Sequence, residues 1–231
     1  MQNIHQQTLA GIALSNHGFI PVLEKYSLDF CCRGKKTLAE ACAEKNIPVT
    51  AVVDEMKETI RSGGPLIPFA DMTAEQLVSH IIIQHHFYVK SNIATIYAHI
   101  EKVATKHGER YPHMHKVLAL FAEAVNELLP HLEKEEKILF PRIVEIASNK
   151  TPGGLDAPIR MMETEHDEVG QIMFEIRELT NHFTPPEGAC NTHRICLEEL
   201  KAFEENLHQH VHLENNILFP MTIQMISSRT Q

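Results

Sequence analysis

The chain has 231 residues, room for one large domain or one large and one small, and its 30 acidic against 21 basic residues give a formal charge of −9. That balance excludes nucleic acid and anionic membrane as general partners, no stretch approaches the roughly 20 apolar residues of a membrane span, and without an export signal at the N-terminus a cytoplasmic protein is expected. Sixteen histidines are many for this length, and five unevenly spaced cysteines (Cys31, Cys32, Cys42, Cys190, Cys196) fit a reducing compartment rather than a disulfide framework.

Residues 1–60 read as a small helical unit. Apolar positions recur at three- and four-residue steps in four short segments: one opening at Thr8, one from Phe19 to Tyr26, one from Thr37 to Cys42 and one from Val49 to Ile60. Between the second and third lies Leu28-Asp29-Phe30-Cys31-Cys32-Arg33-Gly34-Lys35-Lys36-Thr37. Vicinal thiols ahead of a helix N-terminus and beside three cations are expected to have lowered pKa values, which marks Cys31 and Cys32 as redox or iron-transfer thiols. Residues 61–72, rich in glycine and proline, read as a linker.

Residues 73–226 carry four long helical patterns. Thr73 with Gln76 forms a capping-box signal for the first, which runs to His107 before Gly108 and Pro112. The second spans His113 to Ser148, the third Ala157 to Asn181 and the fourth Asn191 to Ile226. No segment alternates as a strand does. Short breaks make neighbours antiparallel, so the expected fold is all-α: an up-down-up-down four-helix bundle preceded by a small helical domain.

The second and fourth helices share a repeat, His131-x-x-x-Glu135 and His210-x-x-x-Glu214, each followed by Ile-Leu-Phe-Pro. His86 stands 45 residues before His131, and His166 44 before His210. All four histidines lie about 20 residues from the same end of the bundle, hence at one depth, roughly 30 Å from that end. The i, i+4 spacing puts each imidazole on the face of its carboxylate. Leu128, Ile138 and Leu139 extend that face in one copy, and Leu207, Ile217 and Leu218 in the other. His86, rather than its neighbour His85, shares a stripe with Ile82, Ile83, Val89, Ile93 and Ile100. Two carboxylates on apolar stripes are costly without a cation. His86, His131, Glu135, His166, His210 and Glu214 are therefore expected to hold two metal ions. Imidazole with carboxylate suits iron, with manganese or zinc as alternatives, and the absence of cysteine from this set disfavours structural zinc. The remaining histidines, His17, His193, His208 and His212 among them, are expected at the solvated surface, Met161-Met162 in the core, and Pro141 and Pro220 at kinks or ends.

The bundle pattern resembles the hemerythrin-like cation-binding domain. Joined to Asp29-Phe-Cys-Cys-Arg-Gly-Lys-Lys-Thr-Leu-Ala-Glu-Ala-Cys42, to Met162-Glu-Thr-Glu-His166-Asp-Glu and to the His210–Pro220 motif, it resembles the iron–sulfur cluster repair di-iron family, also called regulators of cell morphogenesis and NO signalling. The likeness covers essentially the whole chain; Arg33-Gly34 stands where that family often has Gly-Gly. It implies four terminal histidine ligands, Glu135 and Glu214 as bridges, and two irons joined by oxo and carboxylate. It further implies repair of clusters damaged by nitrosative or oxidative stress through supply of iron, with damaged iron–sulfur proteins as clients. NO or O2 would be ligands at open positions. An O2 or NO carrier or sensor and a di-iron NO reductase are the alternative readings, so enzyme status stays open, as does self-association into a homodimer.

Overall fold

The computed structural model describes residues 3–61, 69–148 and 154–228. The first helices are α1 (Leu9–Ser15), α2 (Ile20–Lys25), α3 (Leu38–Glu44) and α4 (Val49–Arg61). Thr8 caps α1 by accepting from Gly11 N–H, and Thr37 with Glu40 forms a full capping box on α3. These short helices are marginal alone. They are held by a shared core that includes Leu9, Ile12, Leu23, Phe30, Leu38, Val52 and Met56. Most of the expected linker, residues 62–68, lies outside the described residues. Its end, the 3-10 turn Phe69–Asp71, puts Phe69 into the bundle's core.

The bundle has four long elements. α5 comprises Ala74–His80, a π turn Ile81–His86 and Phe87–His107. α6 comprises His113–Lys134, a π turn Glu135–Leu139 and Phe140–Ala147. α7 is Asp156–Leu179, and α8 comprises Asn191–Leu213, a π turn Glu214–Leu218 and Phe219–Ser227. Thr73 and Gln76 form the expected capping box. Among the described residues there is no strand, only an isolated bridge between Thr8 and Thr37. No helix there is long and apolar enough to cross a membrane.

α6 packs against α5 and α7, and α8 against α5, while α7 and α8 are the loosest adjacent pair. Over their seam sits the N-terminal unit. Phe30 lies edge-on to the His212 ring, centroids 5.3 Å apart. Asn216 Nδ2 donates to the carbonyls of Phe30 and Cys31 at 3.3 and 3.4 Å. Glu24 accepts from His208 at 2.8 Å. The bundle core divides into two apolar clusters. One includes Val89, Ile100, Phe121, Val169 and Phe203, the other Leu77, Phe140, Ile159, Met162 and Phe219. Between them in sequence, on every long helix, stand the histidines and glutamates of the repeat.

Several expectations need correction, and the π turns bear on some of them. Each π turn holds one residue more than an α turn and rotates the helix beyond it. Ile83 and Ile138, expected on the inner stripe, are 61% and 58% exposed, whereas His85 is buried beside His86. Pro141 and Pro220 do not end their helices; each sits in the first turn of the α segment after a π turn, where a missing N–H is tolerated. Met161 is exposed while Met162 is buried. His193 and His212 are buried, because α8 is covered on one side by Tyr111 and on another by Phe30.

Candidate metal centre

The structure brings all six residues of the repeat to one place. The donor atoms of His86, Glu135, His210 and Glu214 lie within 4.8 Å of one another, and so do those of His131, Glu135, His166 and Glu214. Both quartets contain both carboxylates. Glu135 turns Oε2 toward His86 Nε2 at 3.4 Å and Oε1 toward His131 Nε2 at 3.3 Å. Glu214 turns Oε1 toward His210 Nε2 at 2.9 Å and Oε2 toward His166 Nε2 at 3.1 Å. Each carboxylate thus divides its oxygens between two histidine pairs.

Three π turns place these side chains. His86 ends the first, and Glu135 and Glu214 each begin one. α7 runs regularly through its site and contributes His166 alone.

All six side chains are buried. Both oxygens of Glu135 and one of Glu214 are closed to solvent without a hydrogen-bond partner. The imidazoles approach Glu135 closely but are not aligned to donate to it. Burying an uncompensated carboxylate costs several kcal/mol, far more than an ordinary hydrogen bond returns. Protons can compensate in part. Burial pulls the His131 pKa down, but the Glu135 carboxylate more than offsets this and raises it to about 9.

The remaining ring nitrogens of three histidines are held by acceptors. His86 Nδ1–H donates to Glu136 at 2.8 Å, and Glu136 is paired with Lys90. His131 Nδ1–H donates to Glu165 at 2.7 Å, and Glu165 is paired with Lys134. His166 Nδ1–H donates to Asn215 Oδ1 at 3.0 Å. A ring held through Nδ1–H turns Nε2 toward the centre, the atom that would lose its proton to a metal, as in metal-bound histidine. The Nε2 atoms face each other in pairs, His86 with His210 at 3.1 Å and His131 with His166 at 3.0 Å, and His210 Nε2 also donates to Glu214 Oε1 at 2.9 Å. About 3 Å is also the separation of two donors each about 2.1 Å from one ion at right angles. Orphaned oxygens, converging Nε2 atoms and their spacing all fit a cation in each quartet. Glu136, Glu165 and Asn215 escape the sequence reading, because nothing local marks a surface residue that orients a ring on another helix.

The double-cysteine loop meets the bundle beside this layer. Cys31 Sγ lies 3.8 Å from Cys32 Sγ and 3.2 Å from Asp29 Oδ1, and the three residues form a compact donor group. At Cys31 the expected lowering of the pKa is reversed. A hydrogen bond with Cys32, burial and the Asp29 carboxylate push the Cys31 pKa well above the usual thiol range. Arg33 and Lys35 are exposed to solvent, and Lys36 pairs with Glu44. Gly34 is required sterically: a Cβ there would fall 2.4 Å from the Phe30 carbonyl. Arg33 needs no such freedom, which explains why one glycine suffices. The thiol of Cys196 is buried among apolar side chains, its pKa pushed up to about 12 by burial.

Residues 77–222 match the family described as Hemerythrin HHE cation binding domain. Residues 5–59 match a domain of unknown function, DUF542. The iron-sulfur cluster repair protein YtfE of Yersinia pestis (strain Pestoides F) is 33% identical over 217 residues, 94% of this chain and 96% of that protein. The protein of the same name from Yersinia pseudotuberculosis serotype IB (strain PB1/+) matches to the same extent. With its cation-binding bundle and its double-cysteine unit both matched, the chain belongs to the hemerythrin-like family of iron–sulfur cluster repair proteins.

Proposed function

We propose that this chain is a di-iron protein that restores iron–sulfur clusters damaged by nitrosative or oxidative stress, by supplying iron to them in the cytoplasm. The observation that carries the di-metal reading is the division of the Glu135 and Glu214 oxygens between two histidine pairs. The repair role comes from the relatives, named as repair proteins and alike over nearly the full length.

In this reading His86 and His210 would hold one iron and His131 and His166 the other, with Glu135 and Glu214 offering an oxygen to each. Bound there, iron supplies exchangeable coordination positions that accept water, O2 or NO, and is itself the cargo. Glu136, Glu165 and Asn215 fix three rings in the tautomer that offers Nε2. The apolar clusters on either side keep bulk water from the carboxylates. Cys31 and Cys32 are the receiving thiols at the α7–α8 seam. Cys31 is protonated at neutral pH, so iron taken by its sulfur displaces a proton, for which Asp29 is the adjacent acceptor.

The test uses one damaged client cluster and two proteins. The iron-loaded wild type is expected to rebuild the cluster, and Glu135→Leu/Glu214→Leu, which cannot hold iron, is expected to fail. Equal repair by both would rule out iron supply from this centre.

A further inference from the structure

The repeat that carries the six residues of the centre extends to their neighbours, and there its two copies differ. An offset of 79 or 80 positions relates His86 to His166, His131 to His210 and Glu135 to Glu214. By the same offset Glu136 corresponds to Asn215. Glu165, just before His166, corresponds to His85, just before His86.

The correspondence holds in space. The residue after each buried glutamate takes an imidazole of the preceding helix: Glu136 accepts from His86 Nδ1–H at 2.8 Å, and Asn215 Oδ1 from His166 Nδ1–H at 3.0 Å. The residue before each upstream histidine meets the histidine of the repeat. Glu165 accepts from His131 Nδ1–H at 2.7 Å, whereas His85 stacks flat on His210, planes 8° apart and centroids 5.8 Å. Carboxylates thus back the histidines of α5 and α6, each carboxylate held in turn by a lysine, Glu136 by Lys90 and Glu165 by Lys134. An amide and an aromatic ring stand in the same places for the histidines of α7 and α8.

A carboxylate behind an imidazole draws on the Nδ1 proton and makes Nε2 the more basic donor; a neutral acceptor does so less. The less strongly backed side is also the side of the double-cysteine loop. Asn216, the residue after Asn215, donates to the carbonyls of Phe30 and Cys31. On α7, Gly170 stands one turn beyond His166, and a Cβ there would lie 3.8 Å from Cys32 Sγ. Cys31 shares an apolar cluster with Val169 and Val211, the chain neighbours of Gly170 and His210.

We propose that Asn215 sets the rate at which iron leaves the layer: with an amide where the other copy of the repeat has a carboxylate, His166 holds its ion less firmly than His86 does. The inference rests on the di-iron reading and adds to it a positioning residue, one that acts through His166 and does not itself touch iron. The looser ligand then lies on the side that receives the cargo, so an ion passing to Cys31 and Cys32 is not held back by the carboxylate-backed rings of α5 and α6 alone.

The test is release of iron(II) from anaerobically loaded full-length protein to an excess of a chromogenic chelator, with the iron content of the loaded protein measured first. Asn215→Asp keeps the shape of the side chain and supplies the carboxylate. It is expected to hold as much iron as wild type and to release it at least about tenfold more slowly, since an outer partner of a histidine ligand is worth about 10–100-fold in affinity. Glu136→Gln, the reciprocal change, is expected to release iron at least about tenfold faster. Gln84→Glu adds the same charge as Asn215→Asp at an exposed position two places before His86, and is expected to release iron at the wild-type rate because salt screens it. Release from Asn215→Asp as fast as from wild type, a lower iron content in that variant, unchanged release from Glu136→Gln, or equal slowing by Gln84→Glu would overturn the proposal. Stoichiometry separates it from the reading beneath it. A wild type that holds no pair of irons ends both, whereas two irons per chain with unaltered release from Asn215→Asp ends this inference alone.

Discussion

Glu135 and Glu214 are fully buried, with three of their four oxygens unpaired, so without a cation they oppose the fold that holds them. Replacing a buried ionic group by a well-packed apolar one is often stabilising by about 1–4 kcal/mol. Metal-free Glu135→Leu/Glu214→Leu is therefore expected to unfold at higher denaturant than metal-free wild type, while metal-loaded wild type exceeds both by linkage. Paired guanidinium titrations with and without iron check this; a variant less stable than the metal-free wild type would mean the carboxylates stabilise the fold by themselves. One step further out, Glu136 and Glu165 take the Nδ1–H of His86 and His131. Glu136→Ala and Glu165→Ala are each expected to weaken iron binding about 10–100-fold, measured by competition with a chelator. The convergence of the six residues is legible in the sequence because a repeated i, i+4 pair and a common depth are consequences of helix geometry alone. The orienting carboxylates are not. Glu136 is 50 positions from His86 and Glu165 34 from His131, and only the tertiary fold relates them.

The helices are legible from periodicity and end signals: Thr73 with Gln76 starts α5, and Gly108 and Pro112 come after its end as expected. What periodicity hides is a turn that departs from 3.6 residues. A π turn leaves the apolar count unchanged but rotates its register, and what packs over each helix then decides burial: Ile138 is exposed while Ile217, at the same place in the other copy's π turn, is buried. The end of α7 departs from expectation for another reason. Asn181, His182 and Phe183 take left-handed φ values of 48°, 55° and 58°, a strained run for side chains that ordinarily avoid it, and it draws Phe183 into the core. The prolines of α6 separate the two situations by experiment. Pro130 lies within the regular α segment His113–Lys134, where the lost hydrogen bond and ring clash cost up to about 3 kcal/mol. Pro141 comes after a π turn in which Phe140 N–H already reaches back to Glu135, so its missing donor removes little. Pro130→Ala is expected to stabilise by about 1–3 kcal/mol and Pro141→Ala to change stability by less than about 0.5 kcal/mol, both read from denaturation midpoints. Equal gains would show that the π turn does not accommodate its proline.

At the scale of the molecule, the small unit and the bundle are separable in the sequence because each has its own apolar pattern, yet nothing in either pattern says where one docks on the other. That depends on polar groups that only tertiary structure joins. Arg177 of α7 pairs with Glu204 of α8 through Nε at 2.8 Å and Nη2 at 2.6 Å. Glu24 of the small unit adds a longer contact to Arg177 at 3.9 Å and accepts from His208. Arg177 and Glu204 are buried, so the pair is governed by desolvation rather than by surface screening. Burial raises the Glu204 pKa, and His208 and Arg177 only partly offset it. Removing Arg177 leaves that carboxylate without its main neutralising partner. Arg177→Met is expected to destabilise by about 3–5 kcal/mol at neutral pH, whereas Arg177→Met/Glu204→Leu recovers most of the loss because no charge is then stranded. The stranded carboxylate also sets the sign of the pH dependence. With Arg177 gone the Glu204 pKa rises further, the folded state binds a proton that the unfolded state does not, and stability declines as pH rises through that interval. The deficit of Arg177→Met against wild type is therefore expected to shrink as the pH is lowered from 8 toward 5, and that of the double variant to stay level. Denaturation midpoints across this range decide it. A deficit independent of pH would assign the cost to lost packing of the arginine stem, and would remove charge neutralisation as the reason α7, α8 and the small unit meet at this point.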